Sequence, residues 1–147
     1  MPRIDFYTLT ADSGGDRLQL TCRLVQRAHG EGLHVYVEAP DEGTARALDG
    51  LLWTFREDSF LPHGLVGETD PHLTPILIGH GGTAAVDPDL PSQVLINLGT
   101  AVPSDLDRWE RLLEPIDQDP DIRAAGRLRY AHYKGLGYPL DHHQVRL

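Results

Sequence analysis

Three cations and one tyrosine recur at helical spacing near the C-terminal end of the sequence: Arg123, Arg127, Tyr130 and Lys134, here called the cationic stripe. At 100° per residue they fall on one side of a helix, which has no acidic residue after Asp121 to pair with them. Arginine offers a planar fork of donors to carboxylate or phosphate, and tyrosine offers a flat apolar wall. The stripe therefore predicts a site for an acidic peptide with an apolar end, or for single-stranded nucleic acid with stacked bases. A solvated arginine-rich helix face is the alternative interpretation.

The charge of the chain is divided unevenly along its length. The 147 residues carry 22 acidic and 13 basic side chains, a net charge of −9. Residues 1–121 hold 21 acids against 8 bases, a net of −13, whereas residues 122–147 hold 1 acid against 5 bases, a net of +4. Because lysine and arginine make the phosphate contacts of DNA-binding proteins, this balance argues against a protein that coats duplex DNA. Because the cationic stripe is short and the rest of the chain is acidic, an acidic peptide is favoured over nucleic acid as the ligand of the stripe.

A second surface is predicted around Trp53. Residues 41–55 are expected to form a helix whose core stripe is Ala45, Leu48, Leu51, Leu52 and Phe55. Trp53 lies about 140° from the centre of that stripe. The chain continues with Phe60, Leu61, Pro62 and His63, which we expect to join Trp53 in one apolar patch. A tryptophan away from the core either contacts another protein or is covered by its own loop, and both interpretations stay open.

A glycine-rich segment at 79–84 suggests nucleotide binding. Gly79-His80-Gly81-Gly82-Thr83-Ala84 matches G-x-G-x-x-A directly after a predicted strand. In that motif the pyrophosphate lies on the N-terminus of the helix that follows. Pro88 and Pro91 prevent such a helix here, and the motif belongs in the first strand-to-helix turn. A nucleotide-dependent α/β enzyme that uses the 79–84 loop is therefore the alternative prediction, not the leading one.

Other catalytic or metal chemistry is not indicated. His63, His72 and His80 are widely and irregularly spaced, without H-E-x-x-H or H-x-H. No serine stands in a G-x-S-x-G elbow, and Cys22 lies on an apolar helix stripe, where we expect a core residue. A lone cysteine is typical of a reducing cytosol, and no apolar run approaches the roughly 20 residues of a membrane span. The sequence predicts a cytoplasmic protein with no catalytic residues, no metal, no cofactor and no membrane partner.

The elements that must position these residues alternate between strands and helices. We predict strands at 3–10, 33–37, 75–78 and 94–98, an edge strand at 112–116, and helices at 16–29, 41–55, 104–109 and 119–136. Residues 56–75 form a long connection, and the tail after Gly137 has no assignment. The strand–helix–strand unit at 3–37 predicts a right-handed parallel pair. In the last helix, the predicted core stripe is Ile122, Ala125, Leu128, His132 and Leu136.

This pattern indicates one domain over residues 1–147 with a three-layer α/β fold. We expect a mostly parallel sheet with helices on both faces, a Rossmann-like topology without a working nucleotide site.

The sequence also resembles the chi subunit of bacterial DNA polymerase III holoenzyme. It does so over nearly the whole chain, in segments that occur in order: DFYTL, LDGLLWTFREDSFLPHGLVGE, ILIG, VLINLG and RLRYAHYKGLGYPL. The most specific piece runs from Leu48 to His63, and the R-x-R-Y helix is second. The resemblance implies a non-catalytic accessory subunit of the clamp-loader assembly. The first implied partner is the C-terminal tail of single-stranded DNA-binding protein, which is acidic and ends in phenylalanine. The second is the psi subunit or a helicase. The resemblance implies only indirect contact with DNA, through a strand that is coated with single-stranded DNA-binding protein.

The resemblance also assigns residues. It places tail binding on Arg123, Arg127 and Tyr130. The family often has a lysine directly after that tyrosine; here Ala131 stands there, and Lys134, one turn on, is the candidate replacement. Direct binding of single-stranded DNA by the cationic stripe is a further alternative. The surface that the family uses for psi or a helicase corresponds to Trp53, Phe60, Pro62 and His63.

Overall fold

The computed structural model describes residues 1–55, 60–82 and 86–147. Within these ranges it contains seven strands, three α-helices and a 3₁₀ turn at Leu106–Arg108. The α-helices are α1 (Arg17–Gly30), α2 (Glu42–Thr54) and α3 (Pro120–Gly135). The strands are β1 (Arg3–Leu9), β2 (Val35–Ala39), β3 (His63–Leu65), β4 (Ile76–His80), β5 (Val94–Asn97), β6 (Arg111–Ile116) and β7 (Leu140–Val145).

An aspartate starts each α-helix. Asp16 accepts a hydrogen bond from the backbone N–H of Gln19, and the Gln19 side chain accepts one from the Asp16 N–H, a complete capping box. Asp41 accepts from Thr44 in the same way. Asp119 caps α3, which has proline in its first turn. Each such cap satisfies N–H groups that have no partner within the helix and is worth about 1 kcal/mol, which explains why the predicted starts of these three helices are confirmed. The helix predicted at 104–109 has no such side-chain cap and is only the 3₁₀ turn Leu106–Arg108.

The strands form one parallel sheet in the order β3-β4-β2-β5-β6-β1-β7. The prediction that the strands of the 3–37 unit pair with each other was wrong, because β5 and β6 lie between β1 and β2. The predicted edge strand at 112–116 was also wrong: β6 pairs with β5 on one side and β1 on the other. Pro115 has no N–H to donate to a neighbouring strand. It is tolerated because the pairing with β5 ends at Leu113, so β6 has only one neighbouring strand at Pro115.

Both edges of the sheet are formed by strands that the sequence pattern did not predict. β3 lies within the expected long connection, of which residues 56–59 are outside the described part of the chain. β7 comes from the unassigned tail and pairs with β1 over six residues. Its side chains hold it in place: His142 Nε2 lies 2.9 Å from Thr8 Oγ1, and His143 Nε2 lies 2.9 Å from Asp5 Oδ1. These polar anchors explain why β7 lacks the apolar alternation of a typical strand.

Apolar side chains cover both faces of the sheet, which confirms the three-layer α/β prediction. Alternating residues of β1, β2, β4 and β5 pack on one face against α1 and α2. Cys22 is fully buried there, as expected. The other face packs against α3, the 3₁₀ turn and Trp109. On this second face lie Ile4 and Phe6 of β1, so β1 is positioned directly under α3.

Candidate functional site

The buried face of α3 differs from the predicted one. Gly126, Arg129 and Tyr133 are buried, whereas Leu128 and Leu136 of the predicted core stripe are 75% and 56% exposed. His132 is also exposed, and Ile122 and Ala125 are only partly buried. The predicted stripe was wrong because it treated every arginine as an outward-facing residue, whereas one arginine of this helix faces the sheet.

A buried ion pair explains this orientation. Arg129 Nε donates to Glu114 Oε2 of β6 at 2.6 Å, and both side chains are almost completely buried. Tyr133 donates its hydroxyl to the same oxygen at 3.2 Å, and Arg129 Nη1 donates to the carbonyl of Thr100 at 3.0 Å. Burial raises the pKa of Glu114, while the neighbouring Arg129 guanidinium lowers it. The pair fixes which side of α3 faces the sheet, and so which side faces solvent.

A groove of about 280 Å³ opens between α3 and the outer strands of the sheet. Three of the four residues of the cationic stripe line it, whereas Lys134 is exposed and is not part of its wall. The residues that form the groove are Phe6, Thr8, Ile116, Arg123, Gly126, Arg127, Tyr130 and His142.

The two arginines of the groove have different environments. Arg123 donates from Nε to the carbonyl of Asp117 at 3.0 Å and from Nη2 to the carbonyl of Leu9 at 2.9 Å. Arg127 is exposed and forms no hydrogen bond or ion pair with any of the residues that the structure describes. Arg123 therefore holds the end of β1 against α3, while the full donor fork of Arg127 is available to a ligand.

Aromatic rings form the apolar wall of the groove. Tyr130 packs edge-on against Phe6, with 5.2 Å between the ring centroids. Gly126 adds space at the base, since a Cβ atom there would lie 2.8 Å from Ile116 Cδ1. An apolar or aromatic side chain can enter beside Tyr130 and Phe6 while an attached acidic group reaches Arg127.

The opposite wall consists of Thr8 and His142, which were not predicted as site residues from the sequence. They belong to paired strands, with Phe6 and His142 in register, so the groove depends on the contact between β1 and β7. No helical periodicity connects residues more than 130 positions apart, and β7 itself was not predicted. The double histidine at 142–143 was the available sequence signal for this wall of the groove, but no role was predicted for it.

Part of the predicted patch around Trp53 is present in the structure, whereas Leu61 is buried in the core. The Trp53 ring lies 5.9 Å from the Phe60 ring, and these side chains are 57% and 71% exposed. His63 is buried beneath them, with its ring centroid 4.7 Å from that of Trp53. Its two ring nitrogens lie 2.6 Å and 3.0 Å from the carbonyl oxygens of Leu61 and Asp49. His63 thus supports the patch from below, while Trp53 and Phe60 present it to solvent, with Pro62 partly exposed beside them.

Open parallel sheets usually bind ligands at the carboxyl ends of their strands. In this sheet the ends of β5 and β6 are covered by a side chain of the protein, while a cavity of about 330 Å³ lies beside the ends of β2 and β4. Arg17 donates to the carbonyls of Pro115 and Leu98 at 2.7 Å and 2.8 Å, and its burial lowers its pKa to about 10. In the 79–84 segment, the Gly82 N–H donates to Glu38 at 2.7 Å, while Thr83 and Ala84 lie outside the described residues. A carboxylate at this position repels a phosphate, which further weakens the nucleotide alternative.

Metal ligands and membrane-spanning helices are two further features to consider in the described parts of the chain. No group of three or more histidine, cysteine, aspartate or glutamate side chains there is arranged to hold a metal ion. None of the helices described is long and apolar enough to cross a membrane.

Comparison with known proteins identifies relatives over the full length of the chain. Residues 1–141 match the family model of the DNA polymerase III chi subunit, HolC. The chain is 36% identical over 145 residues to DNA polymerase III subunit chi of Pseudomonas aeruginosa, covering 99% of this chain and 98% of that protein. It is 27% identical over 152 residues to the Escherichia coli subunit of the same name, covering 96% and 97%.

Proposed function

This chain belongs to the DNA polymerase III chi subunit family, a group of replication accessory subunits, and from this premise we propose that its groove binds the acidic C-terminal tail of single-stranded DNA-binding protein. The single observation that carries the proposal is the position of Arg127. Its guanidinium, which has no partner among the described residues, lies at the rim of an open groove whose inner wall is aromatic. A peptide that combines acids with a terminal aromatic ring matches both halves of this site.

The binding mechanism divides the groove into a polar and an apolar part. Arg127 donates charge-assisted hydrogen bonds to a carboxylate of the tail. Lys134 is exposed about two turns further along α3 and attracts the acidic residues that precede this carboxylate in the tail. The terminal ring packs beside Tyr130 and Phe6. Arg123 contributes positive charge, but two of its five N–H donors are already used by backbone carbonyls.

An acidic protein can act at a replication fork in this way. The body of the chain is strongly acidic, which opposes direct contact with DNA, whereas an acidic tail needs only one cationic groove. DNA coated with single-stranded DNA-binding protein displays many tails side by side. Binding several of them from one replicase raises the effective affinity without further contacts in each groove.

We infer that the patch formed by Trp53, Phe60 and Pro62 contacts a second protein, the psi subunit or a helicase. Large aromatic side chains exposed as a pair are typical of the centre of a protein interface. The patch lies beside β3 and the groove beside β7, at opposite edges of the seven-stranded sheet. This placement allows one chain to connect a coated strand to the replicase.

A titration with a fluorescently labelled acidic peptide that ends in phenylalanine tests the proposal. Arg127→Glu is expected to weaken binding by about tenfold or more, because it removes a charge-assisted contact and adds repulsion. Arg23→Glu is the matched control, since Arg23 is an exposed arginine of α1, outside the groove, and the variant has the same change in net charge. Unchanged affinity in Arg127→Glu rejects the assigned site. A single-stranded oligonucleotide titrated in parallel is expected to show no binding; a strong, salt-sensitive signal favours direct DNA binding instead.

A further inference from the structure

Thr8 and His142 form a polar pair on the wall of the groove opposite α3. Thr8 Oγ1 lies 2.9 Å from His142 Nε2, and both residues line the groove with Arg127 and Tyr130. His142 is exposed and lies on β7, the outermost strand of the sheet. Its neighbour His143 has a structural role on the other face, where it contacts Asp5 and stacks on Tyr7. His142, by contrast, contacts only the Thr8 hydroxyl through its ring nitrogens among the described residues, so no comparable structural role is evident for it.

A bound terminal aromatic residue brings a second group into the groove. Its side chain and its α-carboxylate are attached to the same Cα, so a ring packed beside Tyr130 and Phe6 places the carboxylate within the same pocket. A carboxylate removed from water needs donors on more than one side. The polar side chains that line the groove are Arg123, Arg127 and Tyr130 on the side of α3 and Thr8 and His142 on the side of the strands, and Arg123 is already engaged by two carbonyls.

We propose that the Thr8–His142 pair binds the C-terminal α-carboxylate of the tail from the strand side, opposite Arg127. This inference rests on the proposed function and specifies which end of the peptide the groove recognises. If the Thr8 hydroxyl donates to Nε2, the imidazole carries its proton on Nδ1, which has no other partner among the described residues; if Nε2 donates to Thr8, the Thr8 hydroxyl proton is free instead. With either direction of this hydrogen bond, the pair presents one donor to the ligand.

The pair adds a donor on the side of the groove that α3 does not supply. On α3 the residue directly after Tyr130 is Ala131, whose side chain offers no donor. Thr8 and His142 supply one from the strands, on the other side of the same groove. Recognition of a free chain end by His142 would make this site selective for C-terminal tails over internal acidic segments.

Two peptides of identical sequence test this assignment, one with a free C-terminal carboxylate and one with a C-terminal amide. Wild type is expected to bind the free acid about tenfold more tightly, the size of one charge-assisted hydrogen bond. His142→Ala should weaken binding of the free acid and leave binding of the amide almost unchanged, so the ratio of the two affinities falls towards one. Thr8→Val should lower the ratio partly. His132→Ala, an exposed histidine of α3 outside the groove, is the control and should keep it.

The outcomes separate this inference from the proposed function. If His142→Ala keeps the wild-type ratio while Arg127→Glu loses binding, the role of His142 is rejected and the groove assignment stands. If Arg127→Glu binds both peptides like wild type, the groove assignment itself fails. Circular dichroism and thermal unfolding verify that each variant is folded. Should His142→Ala unfold, His142→Gln takes its place; it keeps an amide donor and is expected to lower the ratio only in part. Folded His142→Gln and Thr8→Val variants that both keep the wild-type ratio reject the pair.

Discussion

Arg129 of α3 and Glu114 of β6 form an ion pair of 2.6 Å with almost no contact with solvent. Two residues earlier on the same helix, Arg127 is exposed and lies at the rim of the groove. A separation of two residues turns a helix by about 200°, so holding Arg129 inward necessarily turns Arg127 outward. The buried pair thus determines the orientation of the residue on which the proposed tail site depends.

Removing one partner of this pair is expected to be strongly destabilising. Arg129→Met leaves Glu114 buried without its counter-charge and should lower the free energy of unfolding by about 3–5 kcal/mol in urea denaturation. The double variant Arg129→Met, Glu114→Leu removes both charges and should recover most of that loss. Equal destabilisation in the single and double variants would contradict a role for the uncompensated charge.

Filling the base of the groove is expected to reduce ligand binding without unfolding the protein. A Cβ atom on Gly126 meets only the end of the flexible Ile116 side chain, and alanine is favoured over glycine in a helix by about 1 kcal/mol. Gly126→Ala should therefore change stability by less than about 1 kcal/mol while weakening the acidic peptide several-fold. Gly135→Ala, on the same helix in open space, is the control for helix propensity. Equal peptide affinity in the two variants would show that the ligand does not use this space.

The sequence predicted the helical half of the groove but not the other half. Arg123, Arg127 and Tyr130 were identified because their spacing follows the helical repeat, which is a local property. The burial of Arg129 depends on Glu114, 15 residues away on a strand, so no periodicity in α3 indicates it. Strand β7 is anchored by hydrogen bonds of its histidines to β1, from the far end of the chain. Contacts of this kind are properties of the tertiary structure, and hydrophobic patterning does not detect them.

The thiol of Cys22 is expected to react slowly in the folded protein. Burial raises its pKa to about 12, so the reactive thiolate is scarce near pH 8, and the side chain is inaccessible within the core. Alkylation by iodoacetamide, followed by mass spectrometry, should be roughly 100-fold or more slower in buffer than in concentrated guanidinium. Rapid labelling of the native protein would show that α1 opens readily from the sheet.

The patch around Trp53 and the groove around Arg127 are expected to act independently. They lie at opposite edges of the sheet, and effects of substitutions at distant sites without shared contacts generally add. Trp53→Ala should therefore leave affinity for the acidic peptide unchanged within about twofold, and because its side chain is 57% exposed it should lower stability by less than about 1 kcal/mol.

Tryptophan fluorescence gives a direct measurement, since the other tryptophan, Trp109, is only 3% exposed. Acrylamide quenching of the wild type should come mainly from Trp53 and should not change when the peptide saturates the groove. Protection of Trp53 by the peptide would contradict the separation of the two surfaces and place the tail on the patch.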